Sequence, residues 1–223
     1  MDDHAPTRSA GDFSRREFLA ASTLAVAGFA AGAGAAGREP IIDIHQHRGY
    51  AGRADDALVA HQRAMGATMT ILLPAGRSVN TPSTHGGESN GLEAQCLGTA
   101  SCREFAAAHR KEFAFAANDV PDIDGAVEEI QRYLKLGAVA IAEQKFGVEC
   151  DSPEMQKIYQ VAQDRGVPVL MHWQFQRYNY GFERFYTMLD KYPKVISSAT
   201  PRPGGQTSIG TTPISPCCIR RVR

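Results

Sequence analysis

The chain has 223 residues, 43% of them hydrophobic, and its 24 Lys and Arg residues balance 24 Asp and Glu residues. A chain of this length and composition can bury one sizeable core, so we expect a soluble globular protein. The zero net charge and the interspersed charges argue against nucleic acid as a partner and leave the substrate open.

The N-terminal residues 1–36 combine a pair of arginines with an Ala-rich apolar run. The motif SRREFL at residues 14–19 precedes the run, which extends to Ala36, and the segment resembles a twin-arginine signal peptide. The resemblance implies recognition by the twin-arginine export machinery and a periplasmic or extracellular location. A membrane anchor is the alternative, but the run is interrupted by Gly and shorter than the roughly 20 strongly apolar residues of a stable span.

Residues 40–195 alternate short apolar runs with stretches of helical periodicity. We predict strands at residues 41–45, 68–73, 113–118, 139–143 and 168–172. We predict helices at residues 55–65, 91–110, 123–136, 152–165 and 182–192, with Gly137 and Gly166 at helix C-termini. Repeated βα units of this kind predict a parallel sheet whose strands are covered on both faces.

This order of elements favours an α/β fold, namely an incomplete (β/α)₈ TIM barrel with about five to six βα units. In such a barrel the active site lies at the C-terminal ends of the strands, where the first predicted strand carries the motif HQH. A doubly wound open sheet is the alternative, but no Gly-rich phosphate-binding loop follows the first strand. The long loop at residues 75–90 is either a lid over the site or a connector.

Three histidines stand at the predicted C-terminal ends of strands. His45 and His47 are two residues apart, so both side chains point to the same face, and Asp43 shares that face as a residue that could orient a ligand. His172 closes the apolar fifth strand. Imidazoles that converge at one edge of a sheet are typical ligands of a divalent metal, and Zn²⁺ is the expected cofactor.

Glu143 and Lys145 stand at the end of the fourth predicted strand. Two interpretations stay open: Glu143 is a metal ligand and Lys145 is oriented toward the metal, or the two residues form a structural salt link. The five cysteines include no zinc-binding CxxC pair. A disulfide between Cys96 and Cys102 is conceivable on spacing alone.

Together, the three strand ends resemble the amidohydrolase-related (amidohydrolase 2) proteins, which are metal-dependent hydrolases of TIM-barrel fold that include certain decarboxylases. The resemblance rests on IDIHQH at residues 42–47, GAVAIAE at 137–143 and PVLMH at 168–172, and it extends over residues 40–195. It implies that His45, His47 and His172 bind the metal, with Glu143 as a further ligand. It also implies a histidine at the sixth strand and an acidic residue at the eighth.

The resemblance stops at Val195. The final residues 196–223 hold no Asp or Glu, four Arg and 15 Ser, Thr, Pro or Gly residues, which predicts a disordered tail that cannot form a packed strand. Restoring one nucleotide after the Val195 codon permits a reading that begins VNFIGHAQ, an apolar strand with a histidine, so we hypothesise a frameshift. Strands six to eight would then be missing, and the open sheet edges would lower the stability.

Three hypotheses about function follow from these features. The first is an exported metal-dependent hydrolase that activates water to cleave a C–N or C–O bond of a small-molecule substrate. Its alternative among enzymes is a decarboxylase on the same scaffold. The second hypothesis is a non-catalytic truncated fragment of such an enzyme. The third is a binding module that uses Tyr178, Tyr180 and Phe182 as an aromatic platform, and the favoured alternative is that these residues line the mouth of the pocket or pack against the fifth helix.

Overall fold

A computed structural model describes residues 39–75 and 96–201 of the chain. The strands are β1 (Ile41–Gln46), β2 (Ala67–Leu72), β3 (Phe113–Phe115), β4 (Ile141–Gln144), β5 (Val169–Trp173) and β6 (Ser197–Pro201). The helices are α1 (Asp55–Met65), α2 (Thr99–Ala108), α3 (Ala126–Lys135), α4 (Pro153–Arg165) and α5 (Phe185–Lys191). Each helix follows one strand and precedes the next, which confirms the predicted βα units.

The strands lie side by side in chain order and all run parallel. β1, β2 and β3 pair in that order, and so do β4, β5 and β6. A bridge between Ala117 and Ile141 connects β3 to β4, and Ala117 N donates to the carbonyl oxygen of Ala140 at 2.8 Å. The order has none of the reversal that a doubly wound sheet requires, so the predicted barrel topology is confirmed.

The ends of α4 follow local signals in the sequence. The Ser152 hydroxyl accepts a hydrogen bond from Met155 N at 3.2 Å, and Pro153 occupies the first turn, where its missing N–H has no intrahelical partner to lose. Gly166 ends the helix at φ 65°, a left-handed conformation that glycine adopts without a Cβ clash. The predicted helix over residues 182–192 is shorter, because Phe182–Arg184 form a 3₁₀ turn before α5.

The main apolar core lies between the strands and the helices. Its largest fully buried members include Leu58, Leu72, Ile130, Ile141, Met155, Ile158 and Tyr159. A fully buried Leu or Ile side chain contributes about 1.5–3 kcal/mol to folding. A smaller cluster lies on the other face of the strands and consists of Leu73, Ala116, Ala140, Ala142 and Leu170. The alternation of Leu72 and Leu73 between the two clusters reflects the period of two along a strand.

Arg48 ties the segment after β1 to two helices. Its guanidinium donates to both carboxylate oxygens of Asp55 at 2.9 and 2.7 Å, and to the carbonyl and hydroxyl oxygens of Ser101 at 2.7 and 2.6 Å. The hydrogen bonds between the two charged groups raise the pKa of Arg48 and lower the pKa of Asp55. This network fixes the chain directly after His47.

Two predictions about the sheet edges need correction. Ser197–Pro201 form β6 and pair in parallel with β5, so the prediction that no strand follows Val195 is wrong for these five residues. Strand pairing uses main-chain groups, and the edge of β5 offers them whatever side chains the partner carries. β1 is not covered on both faces, because Ile42 and Ile44 are 58% and 47% exposed.

Cys96 and Cys102 do not form the disulfide that their spacing alone would allow. Both residues carry free thiols, as does Cys150, and all three are buried. Burial raises the pKa of each of these thiols to about 12. The three side chains therefore act as small apolar groups in the packing.

Several predictions fall on residues that the structure does not describe. The signal peptide at 1–36, residues 76–90 of the long loop and the tail from residue 202 onward lie outside the described residues. Within the described ranges, no helix is both long and apolar enough to cross a membrane.

Candidate metal centre

Three of the predicted site residues meet at the C-terminal ends of β1 and β4. One potential ligand atom from each of His45, His47 and Glu143 lies within 4.8 Å of the other two. Oε2 of Glu143 is 3.5 Å from Nε2 of His45 and 3.3 Å from Nε2 of His47. Two imidazoles and one carboxylate therefore share a single small space.

A main-chain carbonyl fixes the protonation of His47. Nδ1 of His47 lies 2.8 Å from the carbonyl oxygen of Leu73, directly after β2, and a carbonyl oxygen can only accept a hydrogen bond. Nδ1 therefore carries a proton, and Nε2 is the ring nitrogen that faces the site. Nε2 faces Oε2 of Glu143, which is an acceptor, so a proton or a metal cation must lie between the two atoms.

The site is open on the side of His45. The side chain of His45 is 32% exposed, whereas those of His47 and Glu143 are 11% and 3% exposed. The ring of Tyr50 stacks on the ring of His47 with 5.7 Å between centroids, and Tyr50 is itself exposed. An accessible aromatic ring thus stands at the rim of the site.

Glu143 keeps its negative charge in spite of its burial. Burial alone disfavours the carboxylate and raises the pKa of Glu143. Hydrogen bonds with His172, His45 and His47 outweigh the burial and hold the pKa well below its usual range. A buried, ionised carboxylate between imidazoles is a donor set that favours a bound cation.

His172 lies against the other oxygen of the same carboxylate. Its Nδ1 is 2.7 Å from Oε1 of Glu143, so this nitrogen donates a hydrogen bond to the ionised carboxylate. Nε2 of His172 is buried and has no hydrogen-bond partner among the described residues. The structure brings His172 to the site through Glu143, and direct metal binding by His172 stays a prediction.

Asp43 supports the main chain of the site rather than an imidazole ring. Its carboxylate accepts a hydrogen bond from the main-chain nitrogen of His45 at 3.0 Å. It also accepts from the side-chain amides of Gln46 at 2.8 Å and Gln62 at 3.1 Å. The predicted role of Asp43 in orienting a ligand is therefore exerted through the backbone of β1.

The predicted aromatic platform is wrong. Tyr178 is 2% exposed, and its ring makes an edge contact with the ring of His172 at 6.1 Å. Phe182 is exposed but packs edge-on against Trp173 with 5.0 Å between centroids. Nζ of Lys145 lies 5.5 Å from the centroid of the Tyr178 ring. Tyr178 is therefore a buried residue that packs between His172 and Lys145.

Three buried amides at the same strand ends escaped the sequence analysis. They are Asn118, Gln144 and Asn179. The side chains of Asn118 and Asn179 donate to the main-chain carbonyl oxygens of Glu143 and His172 respectively, and the side chain of Gln144 donates to that of Asn118. Asn118 directly follows the apolar run FAFAA, and this polar residue at the end of a buried strand was the available signal.

The donor set fits a divalent metal. Two imidazoles and one carboxylate with access for further ligands match the three protein ligands of many catalytic Zn²⁺ sites. The same set also suits Fe²⁺. In residues 39–75 and 96–201, this is the one group of three or more His, Cys, Asp or Glu side chains with its ligand atoms so close together.

Similar solved structures identify the fold. No family model matches the sequence, and no curated protein matches it. An uncharacterized TIM-barrel protein from Bordetella bronchiseptica shares 14% identity at a TM-score of 0.52, over 71% of this chain and 65% of that one. The 2,6-dihydroxybenzoate decarboxylase from Rhizobium shares 14% identity at a TM-score of 0.51, over 73% and 66%. The fold is a TIM barrel.

This TIM barrel is present in part. The chain spans 65% and 66% of the length of the two solved structures, and the described residues supply six strands, whereas a complete TIM barrel has eight. The TIM-barrel fold that the resemblance implies is confirmed. The histidine and carboxylate cluster lies at the C-terminal ends of the strands, where TIM barrels carry their active sites.

Proposed function

We propose that the chain is an exported metal-dependent hydrolase of the amidohydrolase type. It holds a divalent metal, Zn²⁺ in the first instance, with His45, His47 and Glu143, and it cleaves a C–N or C–O bond of a small-molecule substrate. The acidic base that completes proton transfer is not assigned to any described residue.

The relationship between His47 and Glu143 carries this proposal. Nε2 of His47 and Oε2 of Glu143 are 3.3 Å apart, and the carbonyl of Leu73 holds the imidazole proton on the opposite side of the ring. With Nδ1 bonded to Leu73, the ring presents Nε2 to this position, and in the neutral form that nitrogen is available as a ligand. A neutral imidazole nitrogen and a carboxylate oxygen that face each other at this distance are placed as two ligands of one cation.

His45, His47 and Glu143 would hold the metal, which when bound would supply Lewis-acid polarisation of a substrate carbonyl and activation of water. Glu143 balances part of the positive charge, because its carboxylate is buried and ionised. His172 restrains that carboxylate through Oε1, which leaves Oε2 directed at His45 and His47. The half-exposed His45 and the ring of Tyr50 form the side from which a substrate enters.

Zinc affinity in matched variants tests the proposed site. The full chain is stripped of metal with a chelator, and Zn²⁺ is titrated in competition with a chromophoric chelator. His47→Ala and Glu143→Gln should weaken Zn²⁺ binding by more than about 100-fold, because each removes a direct ligand. His61→Ala is the control, since His61 is exposed on α1.

The expected result is one Zn²⁺ per chain in the wild type and in His61→Ala. A wild-type chain that binds no divalent metal would contradict the proposal. So would equal affinities of His47→Ala and His61→Ala, because the bound metal would then lie elsewhere.

Decarboxylation is the second candidate reaction, and the likeness to the Rhizobium decarboxylase favours it. The metal-loaded chain is incubated with 2,6-dihydroxybenzoate and, separately, with a panel of amides, esters and lactones. Release of CO₂ from 2,6-dihydroxybenzoate would support decarboxylation. Cleavage of an amide, ester or lactone would support hydrolysis. A folded, metal-bound chain that does neither is a non-catalytic fragment of such an enzyme.

Export is a separate part of the proposal. The pair Arg15 and Arg16, followed by Phe18 and Leu19, supports recognition by the twin-arginine machinery, which carries folded proteins. A chain that folds before export acquires its metal in the cytoplasm. Localisation of the chain in cell fractions tests this part independently of the metal site.

A further inference from the structure

Three buried side-chain amides form a connected chain of hydrogen bonds beneath the candidate metal centre. Asn118, Gln144 and Asn179 are 1%, 0% and 2% exposed. Nε2 of Gln144 donates to Oδ1 of Asn118 at 2.6 Å, and Nδ2 of Asn179 donates to the carbonyl oxygen of Gln144 at 2.6 Å. The chain of bonds therefore runs from the end of β3 to the loop after β5.

Asn118 bridges strands on both sides of its own. Its Nδ2 donates to the carbonyl oxygen of Pro74, after β2, at 3.0 Å and to the carbonyl oxygen of Glu143, in β4, at 2.9 Å. Both hydrogens of one amide are therefore used on main-chain acceptors. This bond pair sets the spacing between the segment after β2, which contains Leu73 and Pro74, and the residue that carries the site carboxylate.

Asn179 makes the corresponding bridge between β4 and β5. Its Nδ2 donates to the carbonyl oxygens of Gln144 and His172, both at 2.6 Å. Asn179 has φ 51°, a left-handed conformation that asparagine tolerates better than most residues. Its main-chain N–H donates to the carbonyl oxygen of Phe146 at 2.8 Å, which holds the loop against the end of β4.

The strand ladder is irregular where these amides act. β4 and β5 pair at Ile141 with Val169 and at Gln144 with Met171, with a shift of register between the two pairs. Regular pairing therefore does not run through Glu143, and the amides supply main-chain contacts at that level. A buried carbonyl left without a partner is destabilising, so the two bridges also restrict how Glu143 and His172 can move.

We propose that Asn118 and Asn179 are positioning residues of the metal site. Their amides donate hydrogen bonds to the main-chain carbonyl oxygens of Glu143 and His172. These bonds hold the Glu143 carboxylate in contact with the His172 imidazole and close to His47. The inference rests on the proposed metal binding. A purely structural role for Asn118 and Asn179 would stabilise the fold without altering metal affinity, so metal affinity distinguishes the two roles.

Asn179→Gly in the full chain tests the inference. Glycine adopts the same positive φ without strain, so the substitution removes only the amide. Zn²⁺ affinity is measured by chelator competition, and the free energy of unfolding is measured in urea. We expect Zn²⁺ affinity to fall by about 10–100-fold, the range seen when groups that orient metal ligands are removed.

Tyr159→Phe is the matched control. The Tyr159 hydroxyl is a buried donor to the carbonyl oxygen of Cys150 at 2.8 Å, and neither residue contributes to the metal centre. The control should lose a similar amount of stability and keep the wild-type Zn²⁺ affinity within about twofold. Unchanged affinity in Asn179→Gly would overturn the inference, as would an equal loss of affinity in Tyr159→Phe.

A measurement on the wild type decides the matter if Asn179→Gly does not fold. The side-chain amide resonances of Asn118 and Asn179 should shift during a Zn²⁺ titration of the ¹⁵N-labelled chain and saturate at one equivalent. The exposed amide of Gln160, which donates to Asp164, should not shift. Asparagine resonances that stay in place while Zn²⁺ binds would overturn the inference, whereas a wild type that binds no Zn²⁺ would overturn the proposed function itself.

Discussion

Nδ1 of His172 lies 2.7 Å from Oε1 of Glu143, although the two residues are 29 positions apart in the chain. The contact joins the ends of β4 and β5 and uses the carboxylate oxygen that does not face His45 and His47. One carboxylate thereby links all three histidines of the candidate metal centre.

The role of His172 can be divided between its two ring nitrogens. Asn places an N–H near the position of Nδ1 but has no group at the position of Nε2. We expect His172→Asn to keep most of the Zn²⁺ affinity, because the bond to Glu143 is preserved, and His172→Ala to lose about 10–100-fold. Chelator competition measures both variants. If His172→Asn is as weak as His47→Ala, His172 binds the metal directly through Nε2.

The ion pair of Arg48 and Asp55 gives a prediction about pH. Arg48 lowers the pKa of Asp55 in the folded chain, so the stabilisation is present above the ordinary carboxyl pKa of about 3.9 and is lost as the pH falls through the lower folded value. Asp55→Asn should therefore reduce the free energy of unfolding by about 1 kcal/mol at pH 7, since the pair is partly exposed. The deficit should shrink below about pH 4.

The neighbouring Asp56 is the control for this pair. It lies in the same first turn of α1 and is exposed, and its carboxylate accepts only from the main-chain nitrogen of Ala57. Asp56→Asn controls for the interaction of a charge with the helix dipole. Urea unfolding at several pH values compares the two variants, and equal losses at pH 7 would refute a specific contribution of Arg48.

The histidines and the strands differ in how far the sequence could predict them. Two histidines at positions i and i+2 of a strand share a face through local geometry alone, so His45 and His47 were placed together correctly. The tautomer of His47 depends on the carbonyl of Leu73, 26 positions away, and no local pattern contains that contact. Nor does a local pattern contain the contact of Asp43, whose carboxylate accepts a hydrogen bond from Gln62 on α1.

β6 escaped prediction for a different reason. Composition measures whether side chains can fill a core, and Ser197–Pro201 lack such side chains. The strand forms because the edge of β5 presents unpaired main-chain groups. A polar composition argues against a strand whose side chains fill a core. It does not argue against a strand that pairs through its main chain.

The register of β6 shows which residue of β5 the histidine of the restored reading would pair with. Thr200 pairs with His172 in this register, and the restored reading VNFIGHAQ, counted from Val195, places its histidine codon at position 200. We expect the genomic DNA to spell IGHAQ across the codons of residues 197–202 in the shifted frame. Sequencing of that segment is the check, and codons that cannot give this reading would end the hypothesis.

Export should depend on the two consecutive arginines. Replacing both Arg15 and Arg16 with Lys should retain the chain in the cytoplasm, because the twin-arginine machinery recognises the pair. Immunoblots of periplasmic and cytoplasmic fractions measure the distribution. Arg8→Lys, outside the motif, should leave it unchanged, and export of the double variant at the wild-type level would contradict the assignment.

The coordination of Zn²⁺ in the loaded full chain tests the metal centre most directly. X-ray absorption at the zinc edge should show two imidazole ligands with Zn–N distances of about 2.0–2.1 Å and carboxylate oxygen at about 2.0–2.2 Å. The imidazole contribution should fall by half in His47→Ala. Zinc held by cysteine sulfur, or a wild-type spectrum without imidazole, would contradict a site formed by His45, His47 and Glu143.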